Sequence, residues 1–155
     1  MNLKSKKQKY IVIALSVLVA LSIIFIFSNS LKNGERSNAE SSKIIELVKP
    51  ILDAIFGENV LNVRYVVRKS AHFAEFALLG CLTLTLVRAL TEYTGKKLLF
   101  AGLFGTLSVA VIDEYIQSFT GRTSLVGDVV LDFSGALFGM LATYLFYLVI
   151  RKAKK

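Results

Sequence analysis

Four long apolar stretches, at about 10–27, 71–87, 98–117 and 129–150, constrain this chain more than any other feature. A helix crossing about 30 Å of hydrocarbon needs roughly 20 mainly apolar residues, and each stretch is near that length. Isolated strands are excluded, because their backbone groups would be left unpaired in lipid. Composition agrees: 54% of the 155 residues are hydrophobic and 19% charged, with a mean hydropathy of +0.59. A soluble domain of this length needs a more polar exterior than such a sequence supplies. The expectation is an all-α membrane protein, a single domain over 1–155, built as a compact bundle of four transmembrane helices.

The first stretch carries no charge and follows Lys4, Lys6, Lys7 and Lys9. Ser28 and Ser30 are small residues of the kind found at signal-peptide cleavage sites. The apolar stretch exceeds the roughly 7–15 residues of a signal-peptide core, however, so an uncleaved anchor is expected. A net charge of +8 would raise the question of nucleic acid in a soluble chain. Here the excess borders the apolar stretches. The N-terminus, the loop bearing Arg88, Lys96 and Lys97, and the C-terminus with Arg151, Lys152, Lys154 and Lys155 hold eleven of the nineteen basic residues and one acid, Glu92. The positive-inside rule then places both termini in the cytoplasm, with the lipid bilayer as partner and no nucleic acid. Cys81 is the single cysteine, which excludes a disulfide framework and a Cys-rich zinc site.

The first external segment, between residues 28 and 70, is too long for a tight turn. Ile44, Ile45, Val48, Ile51, Leu52, Ile55 and Phe56 recur at helical spacing, with Lys43, Glu46, Lys49 and Asp53 between them. This pattern predicts an external amphipathic helix over 42–57, between the first and second spans. Ser41 or Ser42 serves as N-cap, Gly57 as stop, and Pro50 as a kink or break.

The charges inside the apolar stretches are the informative ones. Arg68, His72 and Glu75 fall at i, i+4 and i+7, and Lys69 joins their face. With the membrane boundary near Lys69, Glu75 lies about 9 Å further in at the helical rise. A lipid-facing carboxylate there costs on the order of 2–3 kcal/mol, so it must face protein or water. The third stretch ends in Asp113-Glu114-x-x-Gln117, a polar connection carries Arg122, and the fourth opens with Asp128 and Asp132. The topology sets all of these at the external end. Taken singly, each has a structural reading: a hydrogen-bonded His–Glu pair, solvated acids beside a loop, a headgroup anchor, a helix cap. Together, ionisable groups from three helices exceed what packing a small bundle requires, and a polar intramembrane pocket is expected. His72, Glu75, Asp113 and Glu114 are its candidate catalytic residues. Arg68, Lys69, Gln117, Arg122, Asp128 and Asp132 are its candidate binding residues. In the last stretch Ser134, Gly135, Ala136, Gly139 and Ala142 permit close helix approach, expected within the chain rather than across a dimer.

The run Arg68-Lys69-x-x-His72-Phe73-x-Glu75, followed by Asp113-Glu114-x-x-Gln117, Gly121-Arg122 and Asp128-x-x-x-Asp132-x-x-Gly135, resembles the VanZ-like family of bacterial integral membrane proteins. The likeness extends from Phe27-Ser28 to the last helix. Phe27-Ser28-Asn29-Ser30 stands where that family often has Phe-Ser-Ser-Gln, and Phe76 where it commonly has tyrosine. The resemblance implies residence in the bacterial cytoplasmic membrane and action in the cell envelope. It also implies a link to tolerance of the glycopeptide teicoplanin, which acts outside the cell on a lipid-linked wall precursor.

Three functional classes fit these residues. In a hydrolase or transferase acting on a lipid-linked or phosphorylated envelope molecule, His72 and Glu75 are base and orienter. Asp113, Glu114, Asp128 or Asp132 then offer oxygen ligands to a divalent cation, while Arg68, Lys69 and Arg122 neutralise an anion. No recognised metalloprotease motif, nucleophile elbow or P-loop is present. In a binding protein, the same mouth recognises a lipid-linked precursor or a glycopeptide without chemistry. A small proton-coupled transporter is the third, though four helices without an evident repeat are few for alternating access.

Overall fold

The computed structural model describes residues 6–32, 42, 45–47, 50, 63–90, 95–120 and 125–153. Four helices carry the fold: α1 (Lys6–Ser30), α2 (Val63–Leu90), α3 (Gly95–Ser118) and α4 (Val126–Ala153). No strand occurs among the described residues. All four helices are long and apolar enough to cross a membrane. Each runs a few residues past its apolar stretch, because a helix keeps its backbone bonds where hydrocarbon gives way to headgroups. The amphipathic helix expected at 42–57 lies, apart from Ser42, residues 45–47 and Pro50, outside the described residues.

Successive helices alternate in direction. The Gln8 side-chain amide donates to the Ala89 carbonyl at 3.1 Å, joining the start of α1 to the end of α2. At the same end the Arg88 guanidinium sits 4.1 Å from the centre of the Tyr147 ring on α4. At the opposite end Lys69 of α2 pairs with Asp128 of α4. The helices α2 and α4 therefore run parallel, and α2 touches all three of the others.

The α2–α4 pair is the most extensive contact in the bundle, and its closeness has a specific cause. Gly80 abuts the backbone of Ala136, and Gly135 and Gly139 abut the backbone carbonyls of Phe73 and Ala77. A Cβ at any of these three positions would collide with backbone that cannot move aside. Gly135 and Gly139 form a small-x-x-x-small step that lets the two backbones touch, so helix association rests on dispersion where water gives no hydrophobic drive. Gly135, Ala136 and Gly139 of the small-residue stripe thus pack within the chain, whereas Ala142 is exposed. Beside this seam Ile26, Phe76, Leu79, Ala110 and Ala136 form the core. Hydroxyls inside the spans are satisfied locally: Thr85, Thr106 and Thr143 donate to carbonyls one turn back. Phe25, Phe104 and Phe146 point outward with many other large apolar side chains, as a surface solvated by lipid requires.

Replacing Gly139 by Val is expected to destabilise the bundle by about 1–3 kcal/mol or more through overpacking. Gly105, whose added Cβ would meet nothing within 4 Å, is expected to accept Ala without loss. Thermal unfolding of the two variants in detergent micelles, followed by helical circular dichroism, measures the contrast.

Candidate functional site

Among the described residues, the end of the bundle where α1 and α3 finish and α2 and α4 start collects every buried polar side chain except Thr106. Ser30, His72, Asp113, Glu114, Gln117, Asp128 and Asp132 are all buried there. Asp113 is 0% and Asp132 1% exposed, both covered by protein atoms. Neither carboxylate faces acyl chains.

Each helix brings its groups through its own periodicity. Lys69 and His72 stand on the α2 face that continues the seam toward α4, one turn apart. Lys69 meets Asp128, a residue in the first turn of α4, where a carboxylate also opposes the positive end of the helix dipole. The His72 Nδ1 lies 3.7 Å from Asp113 Oδ2 and 3.9 Å from Asp132 Oδ1. These separations exceed direct hydrogen bonds and leave the imidazole facing two carboxylates on two different helices. Asp113 is itself held on both oxygens. The Ser30 hydroxyl donates to Oδ1 at 2.6 Å and the Gln117 amide donates to Oδ2 at 2.7 Å. Glu114 turns toward the start of α4 and accepts the Leu125 N–H at 3.2 Å, satisfying a donor that a helix start leaves over.

Glu75 takes another direction. Its Oε1 accepts from the Asn29 amide of α1 at 2.8 Å. The same residue borders a groove of about 330 Å³ between α1 and α2 lined by Leu18, Leu21, Phe25, Ile26, Leu78 and Leu82. His72 and Glu75 are thus oriented toward different neighbours, the first to α3 and α4, the second to α1.

Of the residues expected from sequence, the structure gathers Lys69, His72, Glu75, Asp113, Glu114, Gln117, Asp128 and Asp132 at one end. Arg68 is half-buried beside them, and Arg122 lies outside the described residues. Asn29 and Ser30 enter the site without having been assigned a role. Their signal is modest: two polar residues closing an otherwise apolar span, at the end where the other helices carry charge. The Thr120 hydroxyl extends the same contact by donating to the Ser30 carbonyl at 3.3 Å and to the Gln117 carbonyl at 2.9 Å.

A family profile described as VanZ/LLP1 matches residues 12–147, nearly the whole bundle. The chain belongs to the VanZ/LLP1 family. The matched span contains every site residue named above, α2 and α3 in full and most of α1 and α4, so family membership and the polar end of the bundle coincide in sequence. No curated protein and no solved structure matches the chain.

Ser30→Ala removes a donor from a fully buried carboxylate and is expected to cost about 0.5–2 kcal/mol, the range for hydrogen bonds within membrane bundles. Ser28→Ala, which removes only a hydroxyl bonded to the Ile24 carbonyl of its own helix, is expected to change stability by less than its neighbour does. Unfolding midpoints in the same detergent compare them.

Proposed function

We propose that this VanZ/LLP1 protein resides in the bacterial cytoplasmic membrane with both termini in the cytoplasm and receives an amphiphilic, anionic envelope molecule at the outer end of its bundle. The observation that carries the reading is the position of Glu75. It joins an apolar groove open along α1 and α2 to the end where buried ionisable groups converge. A lipid tail fits the groove, whose lining is aliphatic and aromatic apart from Ser22 and Glu75. Its headgroup then reaches the polar end, where Arg68 and Lys69 supply positive charge to phosphate or carboxylate. A lipid-linked wall precursor has this chemistry. A protein that sequesters or alters such a precursor changes the target of a teicoplanin-type glycopeptide, which supports the link to antibiotic tolerance.

A catalytic form of the same reading, hydrolysis or group transfer at the headgroup, is favoured by His72 standing between two buried carboxylates. An imidazole so placed can hold or pass a proton, as general acid–base chemistry requires.

Glu75→Gln preserves shape and removes charge. Lipids from cells with the protein, without it, and with this variant are compared by mass spectrometry. The expected result is a change in an anionic envelope lipid that appears with the wild type and disappears with the variant. Identical lipid profiles in all three strains defeat the proposal. Purified variant that still binds the lipid found, while the cellular change is lost, assigns catalysis; loss of binding assigns recognition.

The proposed orientation has its own check. Single cysteines at Thr120 and Lys152, in a Cys81→Ala background, are exposed to a membrane-impermeant thiol reagent on intact cells. Labelling at 120 and protection at 152 is expected; the reverse pattern inverts the topology.

A further inference from the structure

The juxtaposition of His72, Asp113 and Asp132 has a consequence independent of any lipid. One donor atom from each residue lies within 4.8 Å of the donor atoms of the other two, and the three come from α2, α3 and α4. Two ligands of a first-row cation with bonds of about 2.1 Å stand roughly 3.4 Å apart at a tetrahedral angle. The observed 3.7 Å and 3.9 Å about His72 Nδ1 come within a few tenths of an ångström of that spacing.

A second observation concerns one of the same three residues. Asp132 is 1% exposed, and its Oδ2 is buried without a hydrogen-bond partner among the described residues. A buried carboxylate oxygen left in this way is costly, and a cation beside Asp132 relieves the cost. Asp113 shows the complementary feature. Ser30 and Gln117 donate to its two oxygens, which fixes the carboxylate plane in the manner of an outer shell around a metal ligand.

We propose that His72, Asp113 and Asp132 form a binding site for one divalent first-row transition-metal cation, joining α2, α3 and α4. The mixed imidazole–carboxylate set selects this class over magnesium and calcium, which take oxygen ligands almost alone. Three protein ligands leave coordination positions open to water or to an oxygen of a bound molecule.

The site is tested on the full chain, purified in detergent and dialysed against a chelator, with Mn²⁺ alone or Zn²⁺ alone as probe. Equilibrium dialysis with metal analysis is expected to show about one ion per chain, the proportion one such site requires. Asp132→Asn and His72→Gln are expected to weaken binding at least tenfold, a loss in the range for disrupting even the surroundings of a metal. Glu75→Gln, which removes a carboxylate outside the triad, is expected to keep the stoichiometry even where the lipid change is lost. Failure of the lipid reading and failure of the metal reading are thereby distinguishable. Pulsed electron paramagnetic resonance of the Mn²⁺-loaded wild type is expected to show coupling to one imidazole nitrogen. Monodisperse wild type that binds no ion stoichiometrically overturns the proposal, as does a bound Mn²⁺ without nitrogen coupling. Both of these readings use the wild type, so they decide the matter even if a variant fails to fold.

Discussion

Charge in hydrocarbon is expensive, and the arrangement of this bundle follows from that constraint. Acids at the starts or ends of three spans have no stable place against acyl chains. The helices therefore turn them toward one another, and Asp113 and Asp132 vanish from the surface altogether. Lys69 answers Asp128, Ser30 and Gln117 answer Asp113, and Leu125 answers Glu114. These acids and the groups that answer them share one end because each would be stranded anywhere else along its span.

What lets them meet is a backbone contact. Along α4 the residues Gly139, Gly135, Asp132 and Asp128 follow one another at steps of four, three and four, a single stripe on the helix. Along α2 the matching stripe descends from Gly80 through Ala77 and Phe73 to Lys69. The polar end is thus the continuation of the glycine seam toward the starts of α2 and α4. Small residues set the spacing of the two helices, and charged residues use it one turn further on. Asp113 and Ser30, from α3 and α1, close the arrangement from the other side.

The convergence was legible because helical spacing and the alternation of basic loops are both written in the sequence. Neither needs tertiary information. The separation of His72 from Glu75 was less legible. Three residues advance a helix by about 300°, so two side chains assigned to one face still differ by roughly 60°. That angle is enough to send one toward α3 and α4 and the other toward α1. Asn29 and Ser30 were assigned no role for another reason: uncharged polar residues at a span end are cheap, so their presence alone does not announce a partner. The hydroxyl on Asp113 becomes visible only when α1 and α3 are placed side by side.

The glycine seam also divides the chain into two regimes of sequence freedom. At Gly80, Gly135 and Gly139 not even a methyl group can be added, so those positions admit almost no variation. The outward surface carrying Phe25, Phe104, Phe146 and their apolar neighbours asks only for bulk and oiliness. Bilayers of different thickness or lipid content can be matched by exchanging that outer coat. The interior spacing that brings the acids together is left untouched by such exchange.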